Sequence, residues 1–397
     1  MSAVLVVNSG SSSLKYQLID AGSEEALASG LVERIGESSG HIRHTGPGGR
    51  WETTLAIPDH TAAFRVMLDA FEAEGPSLDD NPLAAVGHRV VHGGKRFFEP
   101  TIVTDLVEIN IEDLSDLAPL HNPANLQGIR AAKKAFPDVQ HVAVFDTAFH
   151  QTLAPEAYTY AIDAALAEKH RVRRYGFHGT SHKYVSGAAA DFLGRPVGEL
   201  KQIVLHLGNG ASVCAVDAGR SVDTSMGMTP LEGLVMGTRS GDLDPAVLLH
   251  LARRAGLGID DLDELLNRRS GLLGLSGHGD MRDVRHAAES GDAAARLALD
   301  TTVHRLKHYI GAYTAELGGL DVLIFTAGIG ENDARLRAEV CAGLDVLGIR
   351  LDPDRNTGSS HDARVISADD SPVAVLVVPT DEELEIARQS LQAVGAG

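Results

Sequence analysis

Short apolar runs recur along the chain and alternate with amphipathic stretches. Val4–Val7 is aliphatic, a polar knot follows, and Tyr16–Ile19 turns apolar again, so the opening of the chain predicts a β-hairpin. Asn8, Ser9 and Gly10 suit its turn. Ser11, Ser12, Ser13 and Lys15 bring more hydrogen-bonding capacity than a turn needs, which leaves open a plain tip or a binding loop. The runs HVAVF (141–145), QIVLHLG (202–208), ASVCAV (211–216), DVLIF (321–325) and VAVLVV (373–378) predict further strands. Helical spacing fills Pro245–Arg254 and Ala293–Leu317. Asp244–Pro245 reads as an N-cap with proline at the first helical position, and TDEE at Thr380–Glu383 as a capping box before the last helix. The polar stretch Gly36–Arg50 reads as an exposed loop. Strands alternating with helices predict an α/β protein, with mixed sheets flanked by helices. One echo stands out: SSSLKYQLIDAG ends at Gly22 and NGASVCAVDAG at Gly219, which points to two related halves.

Composition narrows the partners. A chain of 397 residues, 44% hydrophobic, has core enough for two or three domains. Its 35 basic and 54 acidic residues leave a net charge of −19, which argues against nucleic acid and anionic membranes. An anionic ligand must therefore be gripped by a few local cations. Cys214 and Cys341 lie far apart without a CxxC, so neither a disulfide framework nor a zinc site is expected. The first apolar run is too short for a signal peptide and no run is long enough to span a membrane, so the cytoplasm is the expected compartment.

Several stretches could carry chemistry. HLGNGAS (His206–Ser212) sets two glycines around Asn209, which lets backbone N–H groups approach a phosphate. Asn-Gly is equally a hairpin signal. TAGIGEN (Thr326–Asn332) places Gly328 and Gly330 between a strand and a helical pattern, a second place suited to a nucleotide. Neither is a Walker A loop nor a full dinucleotide fingerprint. Arg89 in AVGHRVVHGG and Arg239 in MGTRSGDLDP sit among apolar or small residues, where arginine is half of an ion pair or an anion clamp. His121 and His178 occupy Pro- or Gly-rich loops, the usual setting of a merely solvated histidine. Asp146 follows HVAVF, where sheet enzymes place reactive groups and where aspartate also caps turns. A G-x-S-x-G elbow, an H-E-x-x-H pair and a cluster with metal-ligand spacing are all absent from the sequence.

Together NSGSSSLK, HRVVHGG, PLHNP, FDTAFH, RRYGFHGTSHKYV, HLGNGAS, GTRSGDLDP, GIGEN and the terminal T-x-E-E resemble the acetate kinase family, in this order along nearly the whole chain. The resemblance implies two duplicated ribonuclease-H-like (actin-like ATPase) domains with the active site in the interdomain cleft. Residues 1–148 plus 384–397 would form the N-terminal domain and 149–383 the nucleotide-binding one. It further implies reversible in-line transfer of the ATP γ-phosphoryl group to acetate, giving acetyl phosphate and ADP, with Mg²⁺ or Mn²⁺, in a homodimer.

Carried over by motif, the resemblance assigns Asn8 and Glu382 to the metal, largely through water. Arg89 and Arg239 would grip the carboxylate and the phosphoryl group, with His178, Asn209 and His121 donating hydrogen bonds to it. Val91, Leu120, Phe177 and Pro230 would surround the substrate methyl. The nucleotide would meet Lys15, His206, Leu207, Gly208, Asn209 and Gly210. Asp280, Met281 and Arg282, with Gly328, Ile329, Gly330, Glu331 and Asn332, would line the rest of its site. Two departures from the family pattern are a shortened SGHGDMRD segment and Asp381 where Asn is usual. A carboxylate nucleophile is ionised at neutral pH and needs no general base, so Asp146 is expected to orient rather than to abstract a proton. A propionate kinase and an actin- or chaperone-like ATPase are the rival readings.

Overall fold

The structure, a computed structural model, describes residues 2–395, so the outermost residues of the expected domain boundaries (1, 396 and 397) lie outside the described residues. The chain divides into two compact units, one running to Gln151 and resuming at Asp381, the other Thr152–Thr380.

The first unit is built on β1 (Ala3–Ser9), β2 (Ser13–Asp20), β3 (Ala26–Glu33), β4 (Gly40–Gly46), β5 (Gly49–Leu55), β6 (Leu83–Val90), β7 (Thr101–Ile102) and β8 (His141–Phe145). They form one sheet in the order β5-β4-β3-β2-β1-β6-β8-β7. β1 shows why its sequence is continuously apolar. Ala3, Leu5 and Val7 pack with Phe64 and Met67 of the helix His60–Glu74, while Val4 and Val6 face Ile386 and Ala387 of the helix Glu382–Ala393. A strand covered on both faces has no polar side to show. Each such buried Val or Leu contributes about 1.5–3 kcal/mol.

The second unit repeats the plan with β9 (Lys201–Leu207), β10 (Ala211–Asp217), β11 (Arg220–Thr224), β12 (Val322–Thr326), β13 (Arg364–Val365) and β14 (Ala374–Val377), ordered β11-β10-β9-β12-β14-β13. β9, β10 and β11 form an antiparallel meander, as β1, β2 and β3 do. β12 and β14 then add in parallel to β9, as β6 and β8 add to β1, and a short antiparallel strand (β13 or β7) ends each sheet. The sequence echo thus has a topological counterpart, two duplicated actin-like ATPase units of mixed sheet and helix.

Three local expectations need correction. Asn8 and Ser9 belong to β1, paired with Lys15 and Leu14, because the ladder runs on to the strand end. The turn is confined to Gly10–Ser12, with Gly10 N donating to Ser13 O at 2.8 Å. Gly36–Arg50 is no loop, since β4 and the start of β5 form an antiparallel edge hairpin. The last helix is capped by Asp381, whose carboxylate accepts from Leu384 N at 2.9 Å, not by Thr380. An acidic cap is favourable there, at the positive end of the helix dipole. Elsewhere the helices Ala246–Ala255 and Ala293–Glu316 lie where the spacing put them, but the first begins one residue later than expected. Pro245, not Asp244, holds the N-cap position, and Asp244 accepts from Ala246 N at 2.9 Å from one residue outside it.

Candidate active site

In the first unit, β6 and β8 run parallel with Arg89 beside Val144 and Val90 beside Phe145, so Asp146 emerges next to Arg89. Asp146 N also donates to Val90 O at 3.0 Å, fixing the strand end. The Arg89 guanidinium donates from Nε to both carboxylate oxygens at 3.1 Å and from Nη2 to Oδ2 at 2.7 Å. Burial works against the Arg89 charge, yet Asp146, Glu382 and Glu383 outweigh it and hold the guanidinium above its ordinary value. Glu382 stands 3.9 Å from Arg89 Nε, too far for a hydrogen bond. Burial pushes its carboxyl up against the pull of Arg89, and Asp146 and Glu383 push the same way. Lys15 is committed to Glu383, with Nζ–Oε1 at 2.5 Å.

Two asparagines that sequence reasoning missed tie this half together. On the first turns of the helix Asn122–Ala135, Asn125 accepts from Val91 N at 3.0 Å and donates to Ser9 O at 2.7 Å. Asn122 accepts from His92 N at 3.1 Å and donates to His92 O at 3.0 Å. They fasten the segment carrying Val91 and the strand end carrying Asn8 to one helix. Val91 is buried, whereas Leu120 is exposed and His121 occupies the N-cap position of that helix. In sequence they look like a loop-and-helix start in PLHNPAN, and nothing there names their partners.

An oxygen set of this kind suits a hard divalent cation. Asn8, half-buried on β1, offers a neutral amide oxygen, and Glu382 is a carboxylate that accepts no hydrogen bond among the described residues. Mg²⁺ is commonly held by one or two protein oxygens together with water and substrate phosphates, not by a cage of side chains. Among the described residues no cluster of three or more His, Cys, Asp or Glu forms such a cage.

In the second unit, β9 and β10 pair from Leu207 with Ala211, leaving Gly208, Asn209 and Gly210 as the loop. The point where a Cβ on Gly210 would stand is 3.5 Å from Arg239 Nη1 and 3.7 Å from His178 Nε2. Three candidates far apart in sequence therefore surround one small space. Asn209 is fixed at its carbonyl by Gly237 N at 3.0 Å, and its Oδ1 lies where a side chain at residue 237 would have to go. His178 takes a left-handed backbone (φ 55°, ψ 23°) at the start of the helix Gly179–Leu193, costing about 1–2 kcal/mol. Its ring is held all the same, stacked on His206 at 4.2 Å with Nδ1 2.9 Å from Ser212 Oγ.

Arg239 is the telling side chain. Its Nη1 donates to Pro230 O at 3.2 Å and meets Met236 Sδ at 3.7 Å, both neutral acceptors. Burial lowers its pKa, and among the described residues no carboxylate stands within ion-pair distance. A half-buried guanidinium without a counter-ion is costly unless an anion arrives. Phe177 is buried beside His178 in sequence, and Pro230 is half-buried.

A cleft of about 810 Å³ opens in the same unit, lined among others by Gly208, Asn209, Asp280, Met281, Arg282, Gly328, Ile329 and Asn332. The space is of the size that small-molecule sites use. His206, Leu207, Gly210, Gly330 and Glu331 do not line it. The carbonyls of Gly330 and Glu331 instead accept from the buried Arg337 at 2.8 and 2.9 Å, within the short helix Ala327–Asn332. Arg282, exposed, forks onto Asp280 at 2.9 and 2.7 Å. That pairing, with the Arg282 amide, holds the Asp280 carboxyl down at about 2.

Duplicated actin-like units, a nucleotide-sized cleft and an uncompensated arginine beside a glycine loop define a phosphotransferase. Residues 3–388 match the acetokinase family. The chain is 81% identical over 397 residues to the acetate kinase of Leifsonia xyli subsp. xyli, covering all of both. The acetate kinase structure from Porphyromonas gingivalis is 44% identical, with a TM-score of 0.94 over 99% of this chain and 100% of that one. A propionate kinase structure from Francisella tularensis is 40% identical, with a TM-score of 0.92 over 99% and 100%. The chain belongs to the acetokinase family. It is a kinase with a carboxyl group as acceptor, and its function is that of an acetate kinase.

Proposed function

We propose that the protein transfers the γ-phosphoryl group of ATP directly to acetate, with Mg²⁺ as the working cation and Mn²⁺ able to replace it. The observation that carries this reading is Arg239, a cation whose partners among the described residues are neutral. An acetate oxygen attacks the γ-phosphorus in line, the bond to the β,γ-bridging oxygen breaks, and ADP leaves with that electron pair. Acetate, like other carboxylates with a pKa near 4, is already ionised, so no proton has to be removed. The protein's task is alignment and charge neutralisation.

Arg239 and His178 would bind the phosphoryl oxygens in the space beside Gly210, with Asn209 close by. His121 would donate a further hydrogen bond. Arg89, held flat by Asp146, would receive the acetate carboxylate with Val91, Leu120, Phe177 and Pro230 around its methyl group. Asn8 and Glu382 would hold the divalent cation, which draws charge from the phosphates when bound. Asp146 serves as the orienting partner of Arg89, a role its three hydrogen bonds to that guanidinium support. The cleft lined by Asp280–Arg282, Gly328, Ile329 and Asn332 would take the nucleoside. Lys15, paired with Glu383, and Glu331, which accepts from Thr380 N at 3.4 Å, would serve the nucleotide in this reading.

The working form in this reading is a cytoplasmic homodimer. The helices Ala246–Ala255 and Ile259–Arg268 bury none of their residues and leave Val247, Leu249 and Ile259 exposed, an apolar surface suited to a second copy. Hydroxylamine trapping of the acyl phosphate with acetate, propionate and butyrate tests the reading. Acetate-dependent hydroxamate and ADP in equal amounts are expected, and ADP release indifferent to any acid would point to an ATPase instead.

A further inference from the structure

Between β11 and the helix Ala246–Ala255 the chain runs through residues 225–245 with neither helix nor strand. A structureless stretch of this length is unusual in a compact unit and needs its own fastening. It carries both Pro230 and Arg239. Two half-buried knots fasten it. At the entrance, Arg174 Nη1 donates to the carbonyls of Thr224, Ser225 and Met226 at 3.0, 3.2 and 3.1 Å, while Nη2 holds Glu232 at 2.7 Å. At the neck, Asp242 and Gly233 exchange two bonds of 2.9 Å, Asp242 N to Gly233 O and Gly233 N to Asp242 Oδ1.

The second knot closes residues 233–242 into a ring with Arg239 on it. Its other carboxylate oxygen is anchored outside the ring, on the long helix Ala293–Glu316. Oδ2 accepts from Tyr309 OH at 2.8 Å and from Arg305 Nη1 at 3.4 Å. Gly233 (φ 110°) and Gly241 (φ 68°) adopt the left-handed region at the neck, and a Cβ on Gly241 would collide with the carbonyls of Gly233 and Leu234. The geometry is set for a tight closure, and among the described residues the Arg239 guanidinium has no carboxylate to hold it.

We propose that Asp242 is a positioning residue for phosphoryl transfer, closing the 233–242 ring onto Tyr309 and thereby aiming Arg239 at the space beside Gly210. The inference rests on the role given to Arg239 above. Asp242 touches neither substrate; it acts through the arginine. A misaimed guanidinium still carries its charge, so ground-state binding of nucleotide is spared while transition-state alignment is lost. A displacement of about 1 Å is enough to cost about 10²-fold in rate.

The test is a double-mutant cycle on kcat with Asp242→Ala and Arg239→Ala, accompanied by Asp242→Asn and Tyr309→Phe, thermal midpoints and KM for ATP. Asp242→Ala should lower kcat by about 10²-fold with little change in KM for ATP. Asp242→Asn, which keeps the acceptor for Gly233 N, should recover much of that loss, and Tyr309→Phe should fall between wild type and Asp242→Ala. In the Arg239→Ala background the further substitution of Asp242 should cost almost nothing. If Arg239→Ala is crippled and Asp242→Ala adds its full factor to it, or leaves kcat unchanged alone, the positioning role is wrong. If Arg239→Ala itself stays active, it is the reading of Arg239 that fails.

Discussion

Arg89 on β6 and Asp146, the residue that follows the parallel neighbour β8, meet through three N–H···O contacts of 3.1, 3.1 and 2.7 Å. That geometry predicts the behaviour of Asp146→Asn. With the charge removed, Arg89 is free to swing onto Glu382, which already lies 3.9 Å away. It then competes with the divalent cation for that carboxylate. The variant should show a lower kcat, a higher KM for acetate and a raised apparent Mg²⁺ requirement. Titrations of activity against Mg²⁺ decide it, and an unchanged Mg²⁺ profile would detach Asp146 from the metal.

Gly210 gives a sharper separation of stability from activity. Its φ is not in the left-handed region, and a Cβ would meet its neighbours at ordinary contact distances. Gly210→Ala should therefore leave stability within about 0.5 kcal/mol. The added methyl nevertheless stands within 3.5 Å of Arg239 Nη1 and 3.7 Å of His178 Nε2, where a phosphoryl oxygen is expected. A fall in kcat of at least about 10-fold is predicted, measured beside a thermal midpoint.

Stability in acid turns on His88 and His141, buried in the first unit with Nε2 and Nδ1 3.0 Å apart. His141 Nε2 lies 3.1 Å from Phe136 O, so it carries the proton and Nδ1 accepts from His88. Burial lowers both pKa values, and the charge of His141 lowers that of His88 further. Above the unfolded value of about 6.5 both states are neutral and nothing changes. Below it the unfolded chain takes up protons that the folded pair refuses, so stability falls as pH falls, by up to about 1.4 kcal/mol per unit for each histidine. Denaturant midpoints from about pH 7.5 to about pH 5.5 should drop in the wild type and drop less in His88→Gln.

How much of this could be read from the chain depends on where each signal resides. HVAVF matches β8 residue for residue, because a strand buried on both faces writes itself as a continuous apolar run. β4 has no apolar run to mark it, because its inward positions are Gly40, Ile42 and His44, only one of them a large apolar side chain. His44 is buried there by partners that sequence cannot show, Tyr16 OH at 2.8 Å and Gly75 O at 2.9 Å. Arg89 and Arg239 stood out as cations in odd company, but which was an ion pair and which lacked one was a tertiary fact. Arg174 and Asp242 lie inside the motifs RRYGFHGTSHKYV and GTRSGDLDP, but nothing there, nor around Asn125, names a partner, since their work is done on groups of remote segments.

Acid chain length should be set partly by Val91, buried on the segment that Asn125 holds. An added methylene brings about 0.8 kcal/mol if it fits and costs about 1–3 kcal/mol if it overpacks. Propionate should therefore be disfavoured within the roughly 10–200-fold range of one methylene. Val91→Ala should lower KM for propionate relative to acetate. Paired saturation curves check it, and an unchanged ratio of kcat/KM values would remove Val91 from the pocket.

Arg239 is the cation proposed to meet the transferring phosphoryl group. The decisive measurement is kcat for acetyl phosphate formation in Arg239→Ala and Arg239→Lys, each confirmed as folded. A loss of about 10³-fold or more is predicted for alanine, with lysine also poor because a point charge cannot replace a planar fork. Retention of more than about a tenth of the wild-type kcat by Arg239→Ala, where loss of such an arginine ordinarily removes far more, would contradict it.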